Sequence, residues 1–291
     1  MGQQSSIALR LVGRTEDIGG FTVRRLIPVA ARRSVGSFVF LDHMGPAVLE
    51  AGQGLDVLPH PHIGLATVTY LFEGSILHRD SLGSVQEIYP GDVNLMTAGR
   101  GIVHSERSSA ESRRTRRRLN GLQLWVALPK EHEEMAPTFS HTAKSDLPEL
   151  SGDGWTGRLI TGSLFGATSP VRTLSPYFFA DLRCETGACI QFAPDYEEAA
   201  IYVAEGEIEI DGERVEAGSF AVLESNPAVT VTACKESVIA LLGGDPLPER
   251  RHMYWNFVST TRERIEQAKE DWQAQRFPRV PGEESFVPLP G

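Results

Sequence analysis

The stretch LPHPHIGLATVTYLFEG, residues 58–74, sets two histidines among two prolines and then runs into a segment of strand character. Proline lacks the amide hydrogen that a strand inside a sheet must donate, so the segment reads as the beginning of a strand, where ladder pairing has not yet started. Alternation along a strand sends residues i and i+2 to one face, so His60 and His62 project together while Pro61 faces away. Each proline also pushes the residue before it into extended geometry, which stiffens the histidine pair.

Outward from this stretch, short segments rich in β-branched and aromatic residues alternate with Gly, Pro and Asp punctuation. Examples are FTVRRLIPV (21–29), SFVFLDHMG (37–45), VQEIYPGDVNLMTAG (85–99), NGLQLWVAL (120–128), AIYVAEGEIEIDGERVEAGSFAVL (200–223) and VTVTACKESVIALLGG (229–244). The pattern predicts an all-β sandwich or barrel of antiparallel strands. One helix is expected over residues 260–276, with Thr260 and Glu263 as a capping box and Ile265, Ala268 and Trp272 on one face. TVTYLFEGSI followed by YPGDVNLM is echoed by AIYVAEGEIEI followed by VEAGSFAVL, a duplication that suggests two similar barrels. The expected blocks are an N-terminal metal-binding barrel over residues 1–130, a polar linker over 131–157, a second barrel over 158–245, and a helix with tail over 246–291.

The chain has 291 residues, a formal charge of −10 and a pI near 5.3, with 41% hydrophobic and 23% charged residues. An acidic globular molecule is a poor general partner for nucleic acid, which demands a basic face. The five arginines Arg113, Arg114, Arg116, Arg117 and Arg118 are the local exception: they could contact nucleic acid or draw anionic substrates toward the nearby metal mouth, against the plainer reading of a solvated loop that offsets the acidic remainder. Cys184, Cys189 and Cys234 are odd in number and lack CxxC spacing, so a disulfide framework is not expected. With neither a secretory leader nor a run long enough to span a bilayer, the expectation is a soluble, cytoplasmic protein without a membrane partner; Met1-Gly2 with Ser6 fits a myristoylation pattern, but that pattern is short.

A second i,i+2 pair lies in AGRGIVHSERSS (98–109), where His104 and Glu106 share a face and Ser105 faces the other way. If the two strands are neighbours on the inner wall of a barrel, three imidazoles and one carboxylate converge. Such a set suits one first-row divalent ion and leaves positions open for substrate or dioxygen. Fe(II) is the first choice, with Cu, Mn, Ni and Zn also compatible. Taken singly, each histidine has the plainer reading of a satisfied core or surface residue. The glycines of Gly99-Arg100-Gly101 read as a tight turn before the ligand strand.

These same residues resemble the pirin family, a branch of the bicupin proteins. The resemblance is carried by PHPHIGLATVTYLFEGSILHRDS (59–81), YPGDVNLMTAGRGIVHSE (89–106), NGLQLWVALP (120–129), FLDHMGP (40–46) and WNFVSTTRERIEQAKEDW (255–272), strongly in the first half and loosely in the second. It implies two tandem cupin, jelly-roll-like β-barrels with a short C-terminal helix, and one metal, usually iron, held in the N-terminal barrel by His60, His62, His104 and Glu106. Gly54 and His60 fit the general cupin spacing, but Ala66 and Thr67 occupy the usual cupin Glu places, so Glu106 is left to supply the carboxylate. Alignment of the second repeat puts Phe192 and Pro194 where paired histidines would stand, so the second barrel is expected to bind no metal this way and to cover one side of the first.

The resemblance further implies a quercetin 2,3-dioxygenase type of activity on a flavonol or other polyphenol with dioxygen, Glu106 serving as ligand and base. The alternative it implies is a regulatory or protein-binding module with a structural or redox-sensing metal, acting as a transcriptional co-regulator. His78 is read as a hairpin histidine with a solvent partner, the alternative being that it orients another ligand, and Phe40, Asp42 and His43 as neighbours of the pocket. Hydrolase catalysis is unsupported, since there is no Gly-x-Ser-x-Gly elbow.

Overall fold

The prolines of the opening stretch sit where a sheet tolerates them. In the computed structural model, which describes residues 5–18 and 20–290, the strand Asp56–His62 is the edge of a four-stranded sheet and pairs only with Ile102–Arg107 on its inner side. The Met1-Gly2 pattern lies outside the described residues. On the open side of the edge, Val287 donates its N–H to the Pro59 carbonyl at 2.8 Å and Val258 to the Ile63 carbonyl at 3.1 Å. Exposed acceptors of the edge are thereby covered by the chain's own tail.

The chain forms two units. The first holds Thr15–Arg24, Leu41–Lys144 and the tail from Pro248. Its small sheet runs Asp56–His62, Ile102–Arg107, Ile76–Asp80, Val85–Ile88, and its large sheet runs Thr138–Thr142, Val93–Thr97, Leu65–Glu73, Arg117–Ala127, Phe38–Leu49, Thr22–Ile27, Arg14–Asp17. The second unit holds the described residues up to Arg14, Arg25–Phe40 and Ser145–Leu247. Its small sheet runs Cys189–Phe192, Val229–Ala233, Glu207–Ile210, Glu213–Glu216, and its large sheet Ile7–Val12, Ser219–Leu223, Glu198–Glu205, Ser237–Gly244, Tyr177–Cys184, Trp155–Thr161, Glu149–Gly152. The two plans match strand for strand, except that the outer strand beside Val93–Thr97 follows it in the chain while its counterpart Ile7–Val12 stands at the start of the described chain, so the duplication legible in the sequence is a duplication of topology. Both units are tandem cupin domains.

The ends of the chain do not follow consecutive blocks. Ile7–Val12 pairs antiparallel with Ser219–Leu223 in the second unit, and the tail belongs to the first. The polar segment expected as a linker carries two strands, Thr138–Thr142 paired to Val93–Thr97 and Glu149–Gly152 paired to Trp155–Thr161. The interiors also differ. Phe192, on the strand matching Asp56–His62, is fully buried in an apolar core with Phe178, Ile201, Val203 and Leu241.

The helix spans Arg262–Gln273 and buries Ile265, Ala268 and Trp272 as its periodicity requires. Its N-cap is Thr261, whose hydroxyl accepts from the Arg264 N–H at 3.3 Å, and not Thr260. The reason is local: Thr260 gives its own N–H and hydroxyl to Glu133, each at 2.9 Å, and is no longer free to cap. The helix and tail pack Phe257, Ile265, Ala268, Trp272 and Val280 against Ile63 and Val103. Thus Ile63, the apolar neighbour of His62, is covered by the tail of its own unit. Gly64 makes this approach feasible, because at φ +66° a Cβ would lie 1.9 Å from the Val258 carbonyl oxygen.

A polar clamp secures the tail behind the ligand strand. Ser105 donates to Glu283, and Arg107 binds the same carboxylate through Nη2 at 2.5 Å and Nε at 3.1 Å. Glu283→Ala leaves Ser105 without its acceptor and the half-exposed Arg107 with only Asp56 at 3.5 Å. It is expected to lower unfolding stability by about 2 kcal/mol, less than a fully buried pair, seen as a lower urea midpoint at unchanged slope.

Candidate metal centre

Antiparallel register brings the two sequence pairs together. His104 lies directly opposite His60, and Ile102 opposite His62, across the Asp56–His62 and Ile102–Arg107 strands. The turn into the second strand uses Gly99 at φ +51° and Gly101 at φ +151°, as its glycines suggest. Ring centroids of His60 and His104 are 4.4 Å apart, and those of His62 lie 4.9 Å from both. One ligand nitrogen from each of the three falls within 4.8 Å of the others, a group that does not include Glu106. The ladder explains the offset of Glu106: its register slips between His104 and Glu106, which lies across from Val57 instead.

His62 and His104 are each 1% exposed, whereas His60 and Glu106 are each 8% exposed. All four side chains are thus buried. Burial first of all depresses the imidazoles. His60 falls to about 4, partly offset by its hydrogen bond to the Leu58 carbonyl. His62 and His104 lie well below 6.5, driven by burial and then by neighbouring histidines, with the backbone of Asn256 only weakly opposing this at His62. All three are neutral at pH 7, the form that binds a metal. Burial raises the Glu106 carboxyl, against opposing effects of His78 and of Thr69, whose hydroxyl donates at 3.4 Å.

The donor set fits a divalent ion on three counts. His60 donates Nδ1–H to the Leu58 carbonyl at 2.8 Å, which leaves its lone pair on Nε2. His62 Nδ1 is buried without a hydrogen bond of normal geometry. The Nε2 atoms of His62 and His104 stand 3.0 Å apart. At that separation both nitrogens could reach one ion.

Several neighbours escaped the sequence reading. Trp125 packs edge-on to His62 at 5.1 Å. Gln123, opposite Thr69 across the large sheet, is buried with its side-chain oxygen unpartnered. His78 is not a solvent-facing hairpin histidine; it is buried, binds Asp80 and stacks on Phe139 with ring centroids 4.3 Å apart. Its spacing to Asp80 is again i,i+2, the signal used for the ligand pairs. Asp42 is buried, and His43 binds Asn120 at 2.7 Å beside Phe72 rather than joining the cluster.

The arginine run spends its charge within the fold. Arg113 pairs with Asp56 at 2.6 Å, Arg114 with Glu111, Arg116 with Glu50 and Arg118 with Glu73, while Arg117 bonds Ser108 and the Gln53 carbonyl. The three cysteines are free. Among the described residues no helix is long and apolar enough to cross a membrane.

Comparison with known proteins matches residues 20–126 to the Pirin family model and residues 179–278 to the Pirin C-terminal cupin domain. A pirin-like protein of Caulobacter vibrioides is 46% identical over 95% of this chain and 97% of its own length. Human pirin is 32% identical over 94% of each chain. The crystal structure of a quercetin 2,3-dioxygenase from Acinetobacter baumannii superposes with a TM-score of 0.91 at 34% identity, covering 97% of this chain and 95% of the other.

Proposed function

The chain belongs to the pirin family, and on that premise we propose that it is a metal-dependent dioxygenase of the quercetin 2,3-dioxygenase type, opening the ring of a flavonol or related polyphenol. The observation that carries this reading is the trio of buried, neutral imidazoles, with Glu106 on the same strand as His104, in a chain that superposes closely on a quercetin 2,3-dioxygenase. His60, His62 and His104, joined by Glu106, would hold one divalent ion, with Fe(II) favoured.

When bound, such an ion supplies Lewis acidity toward a phenolic oxygen and an open position for dioxygen. The protein's own groups do the rest. Glu106, its carboxyl made more basic by burial, takes the proton of the substrate hydroxyl, and the Thr69 hydroxyl orients it. Trp125, packed edge-on against His62, puts an aromatic ring beside the cluster.

The test is anaerobic loading with Fe(II), then quercetin in air, following loss of the flavonol's long-wavelength absorbance. Turnover is expected, and Glu106→Gln should reduce kcat by about 10²–10⁴-fold as a lost general base does. Fully metallated protein that turns over neither quercetin nor related phenolics would favour the regulatory reading instead.

A further inference from the structure

Behind the three imidazoles lies a buried pair that neither the ligand set nor the proton transfer uses. Asp80 Oδ1 accepts the backbone N–H groups of Leu82 at 2.9 Å and Ser84 at 3.0 Å, and Oδ2 stands 3.1 Å from His78 Nε2. An ionised carboxylate can only accept, so His78 Nε2 must be the donor. On the neutral ring the lone pair is then on Nδ1, which lies 3.4 Å from His104 Nδ1. The His78 ring cannot easily turn away, because it stacks on Phe139 at an interplanar angle of 14°.

We propose that Asp80 and His78 are a tautomer relay: the Asp80 carboxylate fixes the proton of His78 on Nε2, and His78 Nδ1 in turn draws the proton of His104 onto Nδ1, leaving the His104 lone pair on Nε2 where the cluster converges. His60 obtains the same tautomer directly from the Leu58 carbonyl. His104 has no such carbonyl and obtains it through a second imidazole. Asp80 and His78 are thus positioning residues, and a ligand presented in the wrong tautomer would aim an N–H at the ion. The inference rests on the metal reading of the site and is independent of the substrate.

Asp80→Asn is the discriminating change. Its oxygen still accepts from Leu82 and Ser84, so the turn is kept, while its amide donates into His78 Nε2. That forces the His78 proton onto Nδ1 and the His104 proton onto Nε2. Co(II) affinity, measured by competition with a chromogenic chelator, is expected to fall about 10–100-fold. In metal-free protein, long-range ¹H–¹⁵N spectra should show His104 protonated on Nδ1 in wild type and on Nε2 in the variant.

His78→Asn supplies the control, since its side-chain oxygen takes the place of Nδ1 and accepts from His104 without help from Asp80. In the His78→Asn background, Asp80→Asn should change Co(II) affinity less than threefold, a non-additivity that simple loss of structure would not give. Equal affinity in wild type and Asp80→Asn, equal loss in both backgrounds, or an unchanged His104 tautomer would each overturn the relay. Wild-type protein that fails to bind Co(II) at all would instead overturn the metal reading beneath it.

Discussion

Replacing His62 with alanine is expected to abolish stoichiometric metal binding, lowering affinity by more than the roughly hundredfold attached to changes one step removed from an ion. His62 is the most informative of the three because its Nε2 stands 3.0 Å from that of His104, while its other nitrogen has no firm partner. Its role is thus spent on the cluster and not on the surrounding fold. Metal binding to the folded form alone stabilises it by about 4 kcal/mol at a thousand times Kd, so wild-type protein should melt several degrees higher with metal than with chelator. The His62→Ala variant should melt at one temperature in both. A His141→Ala control, which removes a histidine that bonds Asn94 and faces Asp92 on the large sheet, should keep the metal-dependent shift. Equal metal content in wild type and His62→Ala after identical purification would remove the centre.

The histidine cluster was legible because its signal is local. His60 with His62, and His104 with Glu106, need only the two-residue period of a strand and a nearby Gly or Pro turn. His78 with Asp80 carries the same period, but its burial depends on Phe139, a residue on a strand that the composition of its segment presents as linker. The placement of Glu106 depends on a slip of register between strands, and register is set by partners distant in the chain. The tail clamp joins Glu283 to Ser105 and Arg107 across 178 and 176 residues, and the first strand reaches Ser219–Leu223 in the other half of the sequence. Neither pairing leaves a periodic trace. The N-cap shows the same limit at short range: the local rule prefers Thr260, with Glu263 three residues on, and Glu133, far along the chain, overrides it.

Acidification is expected to destabilise the protein well before its carboxylates titrate, and His43 permits the size to be stated. This residue is fully buried, and burial first of all, with Arg24 adding and the Asn120 hydrogen bond opposing, brings it down to about 4 from 6.5. Between those values the unfolded chain binds a proton that the native protein does not, so unfolding takes up protons and stability falls as pH falls. The contribution is complete above pH 6.5 and is lost on descent to about pH 4, an interval worth about 3 kcal/mol, a large share of a typical domain's 5–15. His43→Gln removes this titration and should flatten the fall in urea-derived stability over that interval by up to about 1.4 kcal/mol per pH unit. The imidazoles of the metal centre shift in the same direction, His60 also to about 4, so chelator-stripped protein should lose stability more steeply than His43 alone accounts for. Stability of the stripped protein that stays level from pH 6.5 to pH 4 would mean that these histidines are not held neutral by burial, and the case for a preformed set of metal-binding lone pairs would fail with it.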